Sequence, residues 1–164
     1  MRLSLALATF GSGIAQSSVV HLITIGPAAP DLPLIVTALL ALRRGPEAAC
    51  VVGFAAGLVQ DLAGGGLVGV QALTKALAGF VLGLAVGRLW VASAFVQVSG
   101  LFVLTVAEGL LRYALLRVFH YPAALPDVLM GVILPQACYN GAVAAACLLV
   151  VEAAETVRLR VRWR

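Results

Sequence analysis

Four ionisable residues stand inside long apolar stretches of this chain: Asp61, Lys75, Glu108 and Arg112. In hydrocarbon each charged side chain costs roughly 2.5 to 3.5 kcal/mol or more, so each needs a partner or a task. Asp61 lies four residues beyond Gly57, and Lys75 four residues before Gly79. Two stripes of small residues, Gly53 and Gly57 in one segment and Gly79, Gly83 and Gly87 in the next, therefore each continue into a charge of opposite sign. The two segments run antiparallel, and helical side chains lean toward their own N-termini. Asp61 and Lys75 then lean toward each other, which predicts an ion pair that fixes the packing of the two helices. Glu108 and Arg112 are spaced i, i+4 with the acid first, the favourable order for a second neutralising pair. The functional alternative is that the four charges cluster in the outer half of a membrane. There they would meet a polar group on a substrate or on another protein's helix.

Catalysis has little to start from. There is no phosphate loop, nucleophile elbow or HExxH motif, and Ser17 and Ser18 have no visible partner base. His21 and His120 are far apart and form no metal-ligand spacing. Cys50, Cys138 and Cys147 sit in apolar surroundings without a CxxC pattern and read as small packing residues. These patterns predict a protein that is not an enzyme and that has no metal or other cofactor. Gln16, Gln71, Gln97, Gln136 and Asn140 also fall within apolar stretches, where hydrogen bonds between helices are their expected use. Glycines spaced four apart let helix backbones approach closely, and close helix packing is the natural reading of the two stripes.

These residues sit in a chain of 164, 62% apolar and only 11% charged, against roughly a quarter charged in an ordinary soluble domain. Seven acids and eleven bases cannot furnish a polar shell, so the expected solvent is lipid. The net charge of +4 lies mostly between apolar runs, which argues against a nucleic-acid surface. About 20 helical residues cross the hydrocarbon layer, and that ruler predicts an all-α integral membrane protein of six transmembrane helices, at about 3–25, 31–43, 47–63, 67–88, 89–117 and 127–152. Residues 1–157 form one six-helix domain, and 158–164 form a basic tail. The first stretch is read as a span and not as a signal peptide, because no clear cleavage site precedes a soluble domain. The second and third spans are short. The alternative, one re-entrant hairpin, would bury Arg43, Arg44 and Glu47 near the bilayer centre, so two short spans are favoured.

Six crossings put both termini on one side, and Arg2, Arg43, Arg44, Arg88, Arg158, Arg160, Arg162 and Arg164 all fall there. By the positive-inside rule that side is cytoplasmic, and the basic tail suits its anionic surface.

The stretch from Gly57 to Leu73, GLVQDLAGGGLVGVQAL, resembles the rod shape-determining protein MreD family. A Gly-Leu-x-x-Asp-Leu run, here Gly57, Leu58, Asp61 and Leu62, precedes a glycine-bearing turn with Gly69 and then an apolar helix. Chain length, span number, the short second span with its basic loop and Asn140 in the last span agree more weakly. Lys75 is not among the residues that carry the likeness. The resemblance implies a multi-pass protein of the bacterial cytoplasmic (inner) membrane, part of the elongasome that directs lateral peptidoglycan synthesis and cell shape. Its implied partners are an MreC-like single-span protein and, more widely, RodA, a penicillin-binding transpeptidase and the MreB filament. It also implies a fold like that of the substrate-binding subunits of energy-coupling-factor transporters. Those subunits supply the alternative function, binding a vitamin-like small molecule. A pocket of that kind needs converging aromatic and polar groups, and at 7% aromatic this chain furnishes few. A non-catalytic scaffold that accepts a partner's helix in its small-residue grooves is the favoured reading.

Overall fold

The computed structural model describes residues 2–18, 29–88, 94–120 and 122–162. Every regular element among them is helical: α1 (Arg2–Ser18), α2 (Leu32–Arg44), α3 (Pro46–Gly64), α4 (Val70–Arg88), α5 (Ala94–Val118), α6 (Leu125–Val128), a π-helical turn (Leu129–Ile133) and α7 (Leu134–Arg162). His21, the end of the first predicted span and the 89–93 start of the fifth lie outside the described residues. Pro46–Gly64 and Leu125–Cys147 are long and apolar enough to cross a membrane by length and composition, and the apolar part of α4, Val70–Val86, is shorter.

Punctuation in the sequence explains the breaks. Asp31 caps α2, its Oδ1 accepting from the Leu34 N–H at 3.1 Å, with Pro33 in the first turn, where a missing N–H costs nothing. Gly45, at φ 84°, alone separates α2 from α3, which begins with Pro46. Arg43 and Arg44 close α2, where cations complement the helix dipole.

At 13 residues α2 is about 20 Å long, less than a ~30 Å hydrocarbon layer. It is enclosed instead. α1, α3 and α4 pack along it, α5 touches it, and α7 packs on α5. Leu34, Ile35 and Ala38 of α2 form a buried cluster with Ala78 of α4 and Leu101 and Leu104 of α5, against which Val143 and Ala144 of α7 pack.

The most extensive contact joins α3 and α4. A methyl added at Gly53 would fall 2.5 Å from the Lys75 carbonyl oxygen, and one at Gly57 2.5 Å from that of Gln71. Seen from α4, a methyl at Gly79 would lie 2.7 Å from the Ala49 carbonyl oxygen, and one at Gly83 would strike Pro46. Thr37 of α2 inserts its methyl group at the same seam, within 3.0 Å of the Cβ position at Gly53 and 2.6 Å of that at Gly79. Its hydroxyl donates to the Pro33 carbonyl at 2.7 Å. Gly87 lies one turn beyond Gly83, and its surroundings are outside the described residues.

The π-helical turn has a local cause. Pro135 cannot donate, and its ring crowds the carbonyl four residues back, at Gly131. The chain widens one turn earlier, where the Leu134 N–H bonds to the Leu129 carbonyl. Ile133, fully buried, then packs on Gly109 of α5, and Gln136 and Asn140 follow on the inward face.

Candidate functional site

Asp61 ends α3 with its carboxylate turned toward the start of α4. Oδ2 accepts from the backbone N–H groups of Gly69 at 2.8 Å and Ala72 at 3.1 Å, and Oδ1 from that of Gln71 at 3.1 Å. The Leu73 N–H already bonds to the Gly69 carbonyl, so these are among the N–H groups a helix start leaves without partners. A carboxylate eight to eleven residues earlier thus supplies the cap that a local Ser or Asp would normally give, and its charge complements the dipole. Gly69 presents its N–H at φ 102°, a backbone conformation that side chains disfavour. Gly57 lets the first turn of α4 lie directly on α3. One device therefore needs Gly57, Asp61 and Gly69 at their spacing. Leu58 and Leu62 flank it, half-buried and exposed.

The predicted pairing of Asp61 with Lys75 is corrected by this geometry. Close contact between α3 and α4 at Gly53 and the Lys75 carbonyl leaves no room for a long side chain in their seam. The lysine therefore extends toward α2 and α5. Its Nζ lies 2.9 Å from Asp31 Oδ2, 3.6 Å from Glu108 Oε1 and 2.6 Å from Gln71 Oε1. Asp31 and Lys75 are fully buried and Glu108 is 2% exposed. Burial on this scale leaves the ions with only one another and nearby dipoles, so the triad locks α2, α4 and α5 together.

The predicted pair of Glu108 and Arg112 makes no direct ion-pair contact, although the charge of Arg112 still acts on Glu108 from a distance. Glu108 Oε1 accepts from the Thr74 hydroxyl at 2.7 Å, while Oε2 has no hydrogen-bond partner. Arg112 donates to Gln136 Oε1 at 3.2 Å and Gln71 Oε1 at 3.4 Å. The i, i+4 rule describes isolated helices, and here α4 offers Glu108 a buried ammonium and a hydroxyl instead.

Amides extend the network. Asn140 of α7 accepts from the Asp31 N–H at 2.8 Å and donates to Thr105 of α5 at 3.2 Å. Gln16 of α1 holds both sides of Asp31, donating to the Pro30 carbonyl at 2.9 Å and accepting from the Leu32 N–H at 2.9 Å. One network thus ties α1, α2, α4, α5 and α7 with two carboxylates, an ammonium and a guanidinium, whose formal charges sum to zero.

Sequence reasoning set Asp31 at the start of the second span and missed its part in the network. The signal that could have found it is an Asp directly before an apolar helix with Pro at its second position, the pattern of an N-cap. Gly53, Gly57, Gly79 and Gly83 are filled from within the bundle, so they do not provide the open grooves for a partner that their spacing suggested.

The family model described as rod shape-determining protein MreD matches residues 1–153. The chain belongs to the MreD family. As a member of this family it is a bacterial membrane protein with a role in determining rod shape. Comparisons with curated proteins and with solved structures each find no match. The family match spans both the Asp61 cap and the buried network. Among the described residues no group of His, Cys, Asp and Glu is arranged to hold a metal.

Proposed function

We propose that this MreD-family chain is a non-catalytic membrane scaffold of the bacterial cell-elongation complex. It binds an MreC-like single-span protein and sets the position of that partner's extracytoplasmic domain, and so acts on lateral peptidoglycan synthesis. The observation that carries the reading is the family match over residues 1–153. The filled interior supports it: the ionic groups at the bundle's centre are engaged with one another, as suits a frame that keeps its shape. With the glycine seam closed, the partner's helix packs on outward faces. In this reading six helices cross the inner membrane in the manner of the substrate-binding subunits of energy-coupling-factor transporters. Both termini are cytoplasmic, residues 1–157 form the bundle and 158–164 its basic tail. RodA, a penicillin-binding transpeptidase and MreB belong to the wider assembly.

The test is co-purification of the tagged protein in mild detergent, with mass spectrometry of everything retained. A stoichiometric single-span protein with a large extracytoplasmic region is the expected result. Retention of a vitamin-like molecule together with ATPase subunits would overturn the scaffold.

A further inference from the structure

Every residue of the stretch 62–68, LAGGGLV, between α3 and α4 is exposed, and none carries a polar side chain. Leu62 is 67% exposed, Leu67 46% and Val68 62%. A turn in water is normally built with Asn, Asp or Ser, whose side chains hydrogen-bond solvent and backbone. The ionisable side chains on either side of this one turn inward: Asp61 caps α4, and Lys75 enters the buried triad. The tip of the α3–α4 hairpin thus presents apolar side chains and bare backbone.

Helix length sets the level of that tip. α3 has 19 residues, about 28 Å, and the apolar part of α4, Val70–Val86, is about 25 Å long. Charge holds the opposite end of the hairpin at the membrane surface. Arg43, Arg44 and Glu47 are exposed beside Pro46, which packs on Gly83, five residues before Arg88. Measured from there, the helices fall slightly short of a ~30 Å hydrocarbon layer, so the tip reaches the far boundary without rising clear of it. Two opposed requirements then fix its position. The leucines and the valine gain by leaving water. The backbone at Gly64, Gly65 and Gly66, with no atom within 4 Å of the Cβ positions, needs polar partners, which excludes the hydrocarbon interior. Both are met where acyl chains end and headgroups begin.

We propose that the 62–68 turn is a lipid anchor, with Leu62, Leu67 and Val68 seated among the acyl chains at the edge of one leaflet and the glycine amides meeting its headgroups. That leaflet is the one opposite Arg43, Arg44 and Arg88. The hairpin is therefore held at a set depth by charge at one end and by insertion at the other. A partner's extracytoplasmic domain would have to reach down to this boundary to cover the turn, whereas lipid is already there. The inference rests on α3 and α4 crossing the membrane, as in the function proposed above, and does not depend on which protein the scaffold binds.

The experiment places a tryptophan in the full-length protein, in phosphatidylcholine nanodiscs whose two faces are both open to solution, and subtracts the emission of the parent's Trp90 and Trp163. The quenchers are aqueous iodide and phospholipids carrying a nitroxide either near the headgroup or near the end of the acyl chain. Leu67→Trp is expected to be quenched best by the shallow nitroxide, with an iodide quenching constant several-fold below that of the same variant in denaturant. Because the larger ring could disturb the turn, Val68→Trp is measured as well and is expected to agree, with circular dichroism confirming the fold. Phe54→Trp, at a 50% exposed position midway along α3, tests the span itself and should respond best to the deep nitroxide. Iodide quenching of both turn variants at the level of the unfolded chain, with Phe54→Trp in the hydrocarbon, would overturn the anchor and leave the turn as an aqueous apolar patch for a partner protein. Best quenching of the turn variants by the deep nitroxide would refute the boundary position. Iodide quenching of Phe54→Trp at the unfolded level would remove the span, and the anchor with it.

Discussion

Replacing Asp61 by alanine removes the shared acceptor of three backbone N–H groups, those of Gly69, Gln71 and Ala72. Hydrogen bonds to a charged group contribute about 1.5 to 3 kcal/mol each to stability, but three that share one carboxylate do not add fully. Asp61 is 5% exposed, so water replaces it poorly, except at Gly69 beside the exposed turn. Loss of the dipole interaction adds about 0.3 to 1 kcal/mol. The expected destabilisation is about 2 to 4 kcal/mol, a fall in Tm on the order of 10 °C. Asp61→Asn keeps an acceptor without the charge and is expected to lose about half as much. The assay is thermal denaturation of the purified protein in detergent, followed by circular dichroism. Lys75 plays no part in this mechanism. Asp61→Lys combined with Lys75→Asp is therefore expected to be worse than either single change, because it also strands Asp31 and Glu108. Recovery of stability in the double variant would refute the cap and restore the direct ion pair.

Lys75→Met leaves two buried carboxylates facing each other without their cation and is expected to destabilise by about 3 to 5 kcal/mol. Adding Glu108→Gln should recover part of that loss, as measured by Tm and by the amount of protein in the membrane fraction. Gly53→Val would push a side chain into the Lys75 carbonyl and is expected to abolish the monodisperse folded species in size-exclusion chromatography. Gly66→Ala, with open space around its Cβ position, should behave as the parent. Asn140→Leu removes an acceptor from the Asp31 N–H and a donor to Thr105, and a loss of about 1 to 3 kcal/mol is expected in the same denaturation assay.

How far the sequence was legible depended on how far each side chain reaches. Glycine has no reach, so spacing alone aligned Gly53 and Gly57 with Gly79 and Gly83, and the structure places all four at the seam of α3 and α4. Prolines and glycines marked the breaks at Gly45 and at the Gly64–Gly69 turn for the same reason, since backbone preferences act locally. Lys75, Glu108 and Arg112 carry their charges several bonds from the backbone, and a one-dimensional spacing rule cannot say into which of two neighbouring clefts a long side chain will turn. The deciding contacts came from residues remote in sequence: Asp31 for Lys75, Thr74 for Glu108 and Gln136 for Arg112. The π-helical turn before Pro135 shifts the facing of everything after it by a residue, which no uniform helical period anticipates.

The same contrast accounts for why the family resemblance could be read from so short a segment. Gly57, Asp61 and Gly69 act through backbone contacts: a close approach, a cap on three N–H groups and a positive φ. Each tolerates few substitutes, because a methyl, a neutral side chain or an ordinary φ would each break the junction by a different route. The buried network asks less of any single position. Its requirement is that charges cancel and donors meet acceptors, which several arrangements of residues can meet, so apart from the weaker likeness at Asn140 its members gave no motif. A short motif and a diffuse network can thus act on the same structural element. The cap orients α4, and only with α4 in that orientation does Lys75 fall between Asp31 and Glu108. Loss of the cap should therefore loosen the ion triad as well, and hydrogen exchange in Asp61→Ala should rise at α2 and α5 along with α4. A rise confined to the first turn of α4 would separate the two.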